Sequence, residues 1–82
     1  MKKMKDVTVA QKMINLQQSA SSRNLEFDLS FNTVKFLMEQ TQCFYTGIEF
    51  QPDGKFSFSV DRVDPKIGYI EGNVVACTVD LN

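Results

Sequence analysis

Two charged residues side by side, Asp61 and Arg62, close an alternating run, Phe56-Ser57-Phe58-Ser59-Val60, that reads as one half-buried strand. A carboxylate and a guanidinium therefore stand where strand gives way to loop, a frequent location for binding and chemistry. Arginine stays protonated at any working pH, so Arg62 cannot be a general base. It can grip a phosphate through two parallel N–H bonds or neutralise charge in a transition state. The alternative occupation for Arg62 is a salt bridge to Asp61, Asp64 or Glu71. The chain contains no histidine, so no imidazole is present to activate water. Asp64 precedes Pro65, which fixes its own φ and biases its neighbour away from helix, so Asp64 reads as a turn cap. Gly68 and Gly72 punctuate the return, and Asn73-Val74-Val75 has β character. The start of a closing helix is expected after it.

Other elements must position this loop. Thr8-Val9-Ala10-Gln11 has the form of a capping box. From it Val9, Ala10, Met13, Ile14, Leu16, Gln17 and Ala20 extend a narrow stripe at helical spacing, with an expected end near Ser22. Leu25, Phe27 and Leu29 alternate with polar residues as a short extended segment. Ser30 has the features of an N-cap, with Leu29 and Val34 at the positions of a hydrophobic staple. The second helix buries Phe31, Val34, Leu37 and Met38 and should end around Gln40 to Gln42. Pro52-Asp53-Gly54 is a strong turn signal, predicting a hairpin between Ile48-Glu49-Phe50 and Lys55–Val60. The two helices are expected to cover the apolar face of that hairpin.

Eighty-two residues allow one domain with a small core. Ordinary composition, 43% hydrophobic with seven Phe, excludes a disordered or collagen-like chain. No apolar run approaches bilayer-spanning length, and the Lys-rich start lacks the apolar region of a signal peptide, so a cytoplasmic protein without membrane attachment is expected. Cys43 and Cys77, without a secretory signal, are expected to stay reduced and buried. The net charge of −1 is unevenly spread. Residues 1–23 carry Lys2, Lys3, Lys5, Lys12 and Arg23 against Asp6 alone, while residues 24–82 hold nine acids against four cations. A basic arm on an acidic body fits nucleic-acid contact through the arm, or solubilising lysines at a frayed terminus. The acidic body argues against a large sequence-independent grip on DNA.

Several spaced motifs occur together. Ser19–Ser30 contains Arg23, Asn24, Phe27 and Leu29; Cys43-Phe44-Tyr45-Thr46-Gly47 forms a compact turn; and Ser59-Val60-Asp61-Arg62-Val63-Asp64 is followed by Gly68-Tyr69, Gly72-Asn73-Val74 and Asn82. In this order they resemble the small HNH-type endonucleases common in bacteriophages, members of the ββα-metal (His-Me finger) superfamily, with Asn24 where those proteins carry Gly. The resemblance implies an α+β fold in which two N-terminal helices pack on a β-hairpin leading into a short HNH-like finger. A single domain over residues 1–82 would then divide into a basic helix (1–24), a short strand and helix (25–42) and the finger (43–82).

The same resemblance implies site roles. Asp61 and Asn82 match the metal ligands, which could hold Mg²⁺ or Mn²⁺ only with waters and substrate phosphate completing the shell. Arg62 stands where the active family has its histidine base, so Asp61 and Arg62 are the catalytic candidates. Asn73 matches the asparagine that pins the loop between the strands. Lys2, Lys3, Lys5, Arg23, Arg62 and Lys66 are the candidates for nucleic-acid contact. Many relatives hold a structural Zn²⁺ with paired cysteines; only Cys43 stands at those four positions here, so no structural zinc is expected and packing of Phe50, Phe56 and Phe58 must replace it. Phe44, Tyr45 and Tyr69 could stack bases, with core packing the alternative. Three functions are then expected in order: a nucleic-acid-binding HNH-like protein with weak or no cleavage, a metal-dependent nickase with an atypical base, and an inhibitor that binds a host protein.

Overall fold

The computed structural model describes residues 3–82, so Lys2 lies outside the described residues. The first helix, α1 (Asp6–Ser22), begins earlier than the Thr8 capping box implies, with Lys5 at the N-cap and no side chain capping it. The Thr8 and Val9 N–H groups both bond to the Lys5 carbonyl, and Gln11 donates to Asn15 instead of turning back. Asp6 accounts for the earlier start. Its carboxylate complements the exposed N–H groups of the first turn, and it pairs with Lys35 at 3.3 Å, the one salt bridge among the described residues. The expected end near Ser22 holds. Asn24 takes a φ of 58° and the Leu25 N–H bonds to the Ala20 carbonyl at 2.8 Å while that of Asn24 reaches Ser21, closing a Schellman motif.

The second helix, α2, covers Phe31–Met38 and is shorter than the expected end at Gln40 to Gln42. Ser30 caps it, its hydroxyl accepting the Thr33 N–H at 3.1 Å, and Leu29 and Val34 of the staple are both buried in the core. Preceding it, β1 (Phe27–Asp28) pairs in parallel with β3 (Tyr69–Ile70). That pairing brings the backbone of Gly68 against Glu26, where a Cβ would stand only 2.7 Å from the Glu26 nitrogen. Only glycine fits there.

The hairpin is not where the Pro-Asp-Gly turn predicts it. Gly54 does turn, with a φ of 80°, but its flanks meet only through the single bridge Gln51↔Ser57, and Gln42↔Glu49 is another isolated bridge. The strand β2 (Phe58–Arg62) instead pairs antiparallel with β4 (Val74–Thr78), in register from Phe58↔Thr78 to Arg62↔Val74. Val74–Thr78 offers five residues rich in β-branched side chains, against three in Ile48-Glu49-Phe50, so the longer ladder prevails. The expected closing helix is corrected for the same reason: β4 continues through Thr78, and only a single 3₁₀ turn, Val79–Leu81, follows.

The described residues form an α+β fold of two helices and two small two-stranded sheets. One core joins them: Val9, Leu16 and Ala20 from α1, Leu29, Val34 and Leu37 around α2, and Val60, Tyr69 and Ala76 from the strands. Of the predicted α1 stripe, Val9, Leu16 and Ala20 are buried, whereas Ile14 is 48% exposed. Phe50 and Phe58 meet edge to face, centroids 5.5 Å apart. Among the described residues no helix is long and apolar enough to cross a membrane.

Candidate functional site

The loop between β2 and β4 is organised around one buried side chain, that of Asn73. Asn73 accepts the Asp64 N–H at 2.8 Å through Oδ1, and its Nδ2 donates to the carbonyls of Gly68 at 2.9 Å and Asp64 at 3.2 Å. The Val63 N–H bonds the Asn73 carbonyl, and Asp64 caps the turn by accepting the Lys66 N–H. The Asn73 amide thus ties Asp64 to Gly68 and, with these turn bonds, orders the loop whose carbonyls Arg62 uses.

Among the described residues Arg62 forms no salt bridge. Its Nη1 donates to the carbonyls of Pro65 at 2.6 Å and Ile67 at 3.2 Å, leaving Nε and Nη2 without a partner among the described residues. Its guanidinium lies 5.6 Å from the centroid of the Tyr69 ring. Arg23, at the end of α1, lies 5.7 Å from the same centroid and donates to the Tyr69 hydroxyl and to the Ser19 hydroxyl. Tyr69 itself is only 5% exposed, so it has no open face on which a base could stack.

These groups border one open cleft of about 480 Å³. Lys12, Asn15, Ser19 and Arg23 line it from α1, Arg62 and Tyr69 from the strands, and Asn82 from the last turn. Lys12 lies over the Phe58 ring at 5.5 Å, and burial lowers its ammonium pKa below the ordinary lysine value. Three cations thus converge, and among the described residues no Asp or Glu side chain lines the cleft. Such an arrangement can hold an anion, and a phosphate oxygen suits the unpaired fork of Arg62. Asn82 folds back on β2, its Nδ2 donating to the Ser59 hydroxyl and to the Val60 carbonyl at 3.2 Å.

Asp61 goes elsewhere. As neighbours in a strand, Asp61 and Arg62 send their side chains to opposite faces, and the loop-end site expected to join them is not formed. Asp61 accepts the Tyr45 hydroxyl at 3.0 Å, and burial together with that carboxylate raises the Tyr45 pKa. Cys43 and Cys77 are free and buried nearby. Burial, with Asp61, Cys43 and Asp80, pushes the Cys77 thiol up to about 11. Burial also raises the Cys43 thiol, but hydrogen bonds from the Thr46 side chain and the backbone of Thr78, Thr46 and Tyr45 outweigh it and hold the thiol at about 7. The donors do not fit a protein-held Mg²⁺ or Mn²⁺: Asp61 is bonded to a phenol, Asn82 borders the cleft that Asp61 does not, and among the described residues no group of three or more His, Cys, Asp or Glu could hold a metal.

The other expected cations are dispersed. Lys3 and Lys5 are exposed at the start of α1, and Lys66 is exposed in the loop; none of the three lines the cleft. Lys12, Asn15 and Ser19 were not among the sequence candidates, although their spacing with Arg23 places a polar stripe on α1 beside buried Leu16. No protein-family model matches the chain, and no solved structure matches it. The chain is 36% identical over 76 residues to an uncharacterized 29.0 kDa protein in the dda-modA intergenic region of Enterobacteria phage T4, a similarity that supports a phage origin. The match takes in 90% of this chain and 30% of that protein, so the chain spans under a third of the relative's length.

Proposed function

We propose that this chain is an HNH-like nucleic-acid-binding domain of phage type that holds the phosphate backbone in the Lys12–Arg23–Arg62 cleft and cleaves weakly or not at all. The carrying observation is the convergence of three cations, none in a salt bridge among the described residues, on one cleft that no Asp or Glu side chain lines. The finger reading is supported by the antiparallel β2–β4 pair, the loop hung from Asn73 and the final turn that returns Asn82 to β2. Weak or absent cleavage follows from the chemistry present, since Arg62 cannot take a proton from water and Asp61 faces away from the cleft. Fluorescence anisotropy with a short labelled DNA duplex tests the binding. Arg62→Ala should weaken it roughly tenfold, as expected for loss of a charged hydrogen bond, and unchanged affinity would sink the proposal. Plasmid nicking with Mg²⁺ or Mn²⁺ separates the nickase alternative, which requires cutting that Asp61→Ala abolishes.

A second reading, a module that binds a host protein, has its own observation. An apolar hollow of about 310 Å³ is bordered by Phe36, Leu37, Phe44 and Val75, and Phe36 and Phe44 are 57% and 68% exposed. It requires a stoichiometric host partner in pull-downs, lost in Phe44→Ser, and no affinity for DNA.

A further inference from the structure

We infer that Tyr69 is a positioning residue that presents Arg23 and Arg62 to a phosphate as one preorganised clamp. The inference rests on the anion-binding reading of the cleft and adds what assembles it. The two arginines come from the end of α1 and the end of β2, and each is charged, so bringing them to one place is opposed by their mutual repulsion. Proteins commonly relieve such repulsion with a carboxylate, which would also cancel the charge a phosphate needs. Here the relief is neutral. The Tyr69 ring carries both guanidinium groups within 5.7 Å of its centroid, and its hydroxyl accepts from Arg23. Backbone carbonyls of Pro65 and Ile67 hold Arg62, and Ser19 holds Arg23.

Tyr69 can do this because its ring and backbone are both held by packing and pairing. It is buried in the core, and its backbone is fixed by the parallel pairing with Phe27. Restricting two long side chains in the free protein removes part of the ordering entropy that phosphate binding would otherwise cost. Tyr69→Phe keeps the ring and its packing and removes only the hydroxyl that orients Arg23, so it separates positioning from folding.

The test measures duplex DNA and inorganic pyrophosphate, by anisotropy and by NMR titration respectively, against wild type, Tyr69→Phe, Arg23→Ala and the double variant. Tyr69→Phe should retain the wild-type melting temperature to within a few degrees and weaken both probes about five- to tenfold. In the Arg23→Ala background the same change should have no further effect, because the group it orients is gone. Equal losses in both backgrounds, or no loss in Tyr69→Phe, would overturn the inference while leaving the nucleic-acid reading intact. Pyrophosphate binding that depends on Tyr69, without duplex binding, would keep the clamp and remove nucleic acid as its ligand. Binding of neither probe by the wild type would overturn both.

Discussion

Asn24 is a residue whose backbone works against its side chain. Its φ of 58° is the left-handed conformation that closes α1, and an L-residue other than glycine reaches it only with strain. Asparagine tolerates that region better than most, and the Ser19–Asn24 run announced a helix end from composition alone. Asn24→Gly should raise stability by about 0.5–1 kcal/mol, the relief of strain being partly offset by glycine's greater freedom in the unfolded chain. Chemical denaturation would read this as a higher midpoint with an unchanged slope; a lower midpoint would mean that the Asn24 side chain contributes more than its backbone costs. Neighbouring Arg23 depends on the same closure, since the turn aims the guanidinium at Tyr69. At this scale the sequence was most legible. Ser30 as a cap, Leu29 with Val34 as a staple and Asp64 at its turn are local patterns that need no knowledge of distant partners.

Pairings between elements were less legible, because they depend on competition among segments far apart in the chain. Ile48–Phe50 and Val74–Thr78 both carry strand character, and only the longer ladder and the available core decide which of them receives β2. The parallel contact of β1 with β3 left a single trace in the sequence, Gly68, which reads equally well as ordinary loop punctuation. Gly68→Ala should destabilise by about 1–3 kcal/mol, since the added methyl meets fixed Glu26 backbone and not a yielding side chain. A melting temperature equal to wild type would show that β1 and β3 separate at little cost. Glu71 makes the second junction. Its carboxylate accepts the Thr33 hydroxyl and the Ser30 N–H at the start of α2, and these bonds lower its pKa. A carboxyl whose folded pKa lies below its unfolded one stabilises above the unfolded value and loses that contribution as pH falls through the folded one. Melting temperature followed from about pH 6 down to about pH 3 should therefore fall less steeply in Glu71→Gln than in wild type, and parallel curves would remove Glu71 from the acid response.

On the scale of the whole molecule, charge decides what can approach and where. The sequence shows a basic first quarter and an acidic remainder, but the fold divides that basic quarter in two. Lys3 and Lys5 stand at one end of α1 and Arg23 at the other, roughly 25 Å apart along a helix of this length. Arg62, drawn from the acidic part of the sequence, joins Arg23 and Lys12 at the cleft. On the proposed reading, a polyanion would meet this compact cationic cleft and not an extended basic arm. Counterion release makes this measurable. Three phosphate contacts correspond to a slope of about −3 in log affinity against log salt concentration, and removing one contact lowers its magnitude by about one. Arg62→Ala should bring the slope to about −2, whereas Lys3→Ala with Lys5→Ala should leave it close to the wild-type value. The reverse result, a slope that collapses with the terminal lysines and survives loss of Arg62, would place the grip on the arm and leave the cleft without a role in binding.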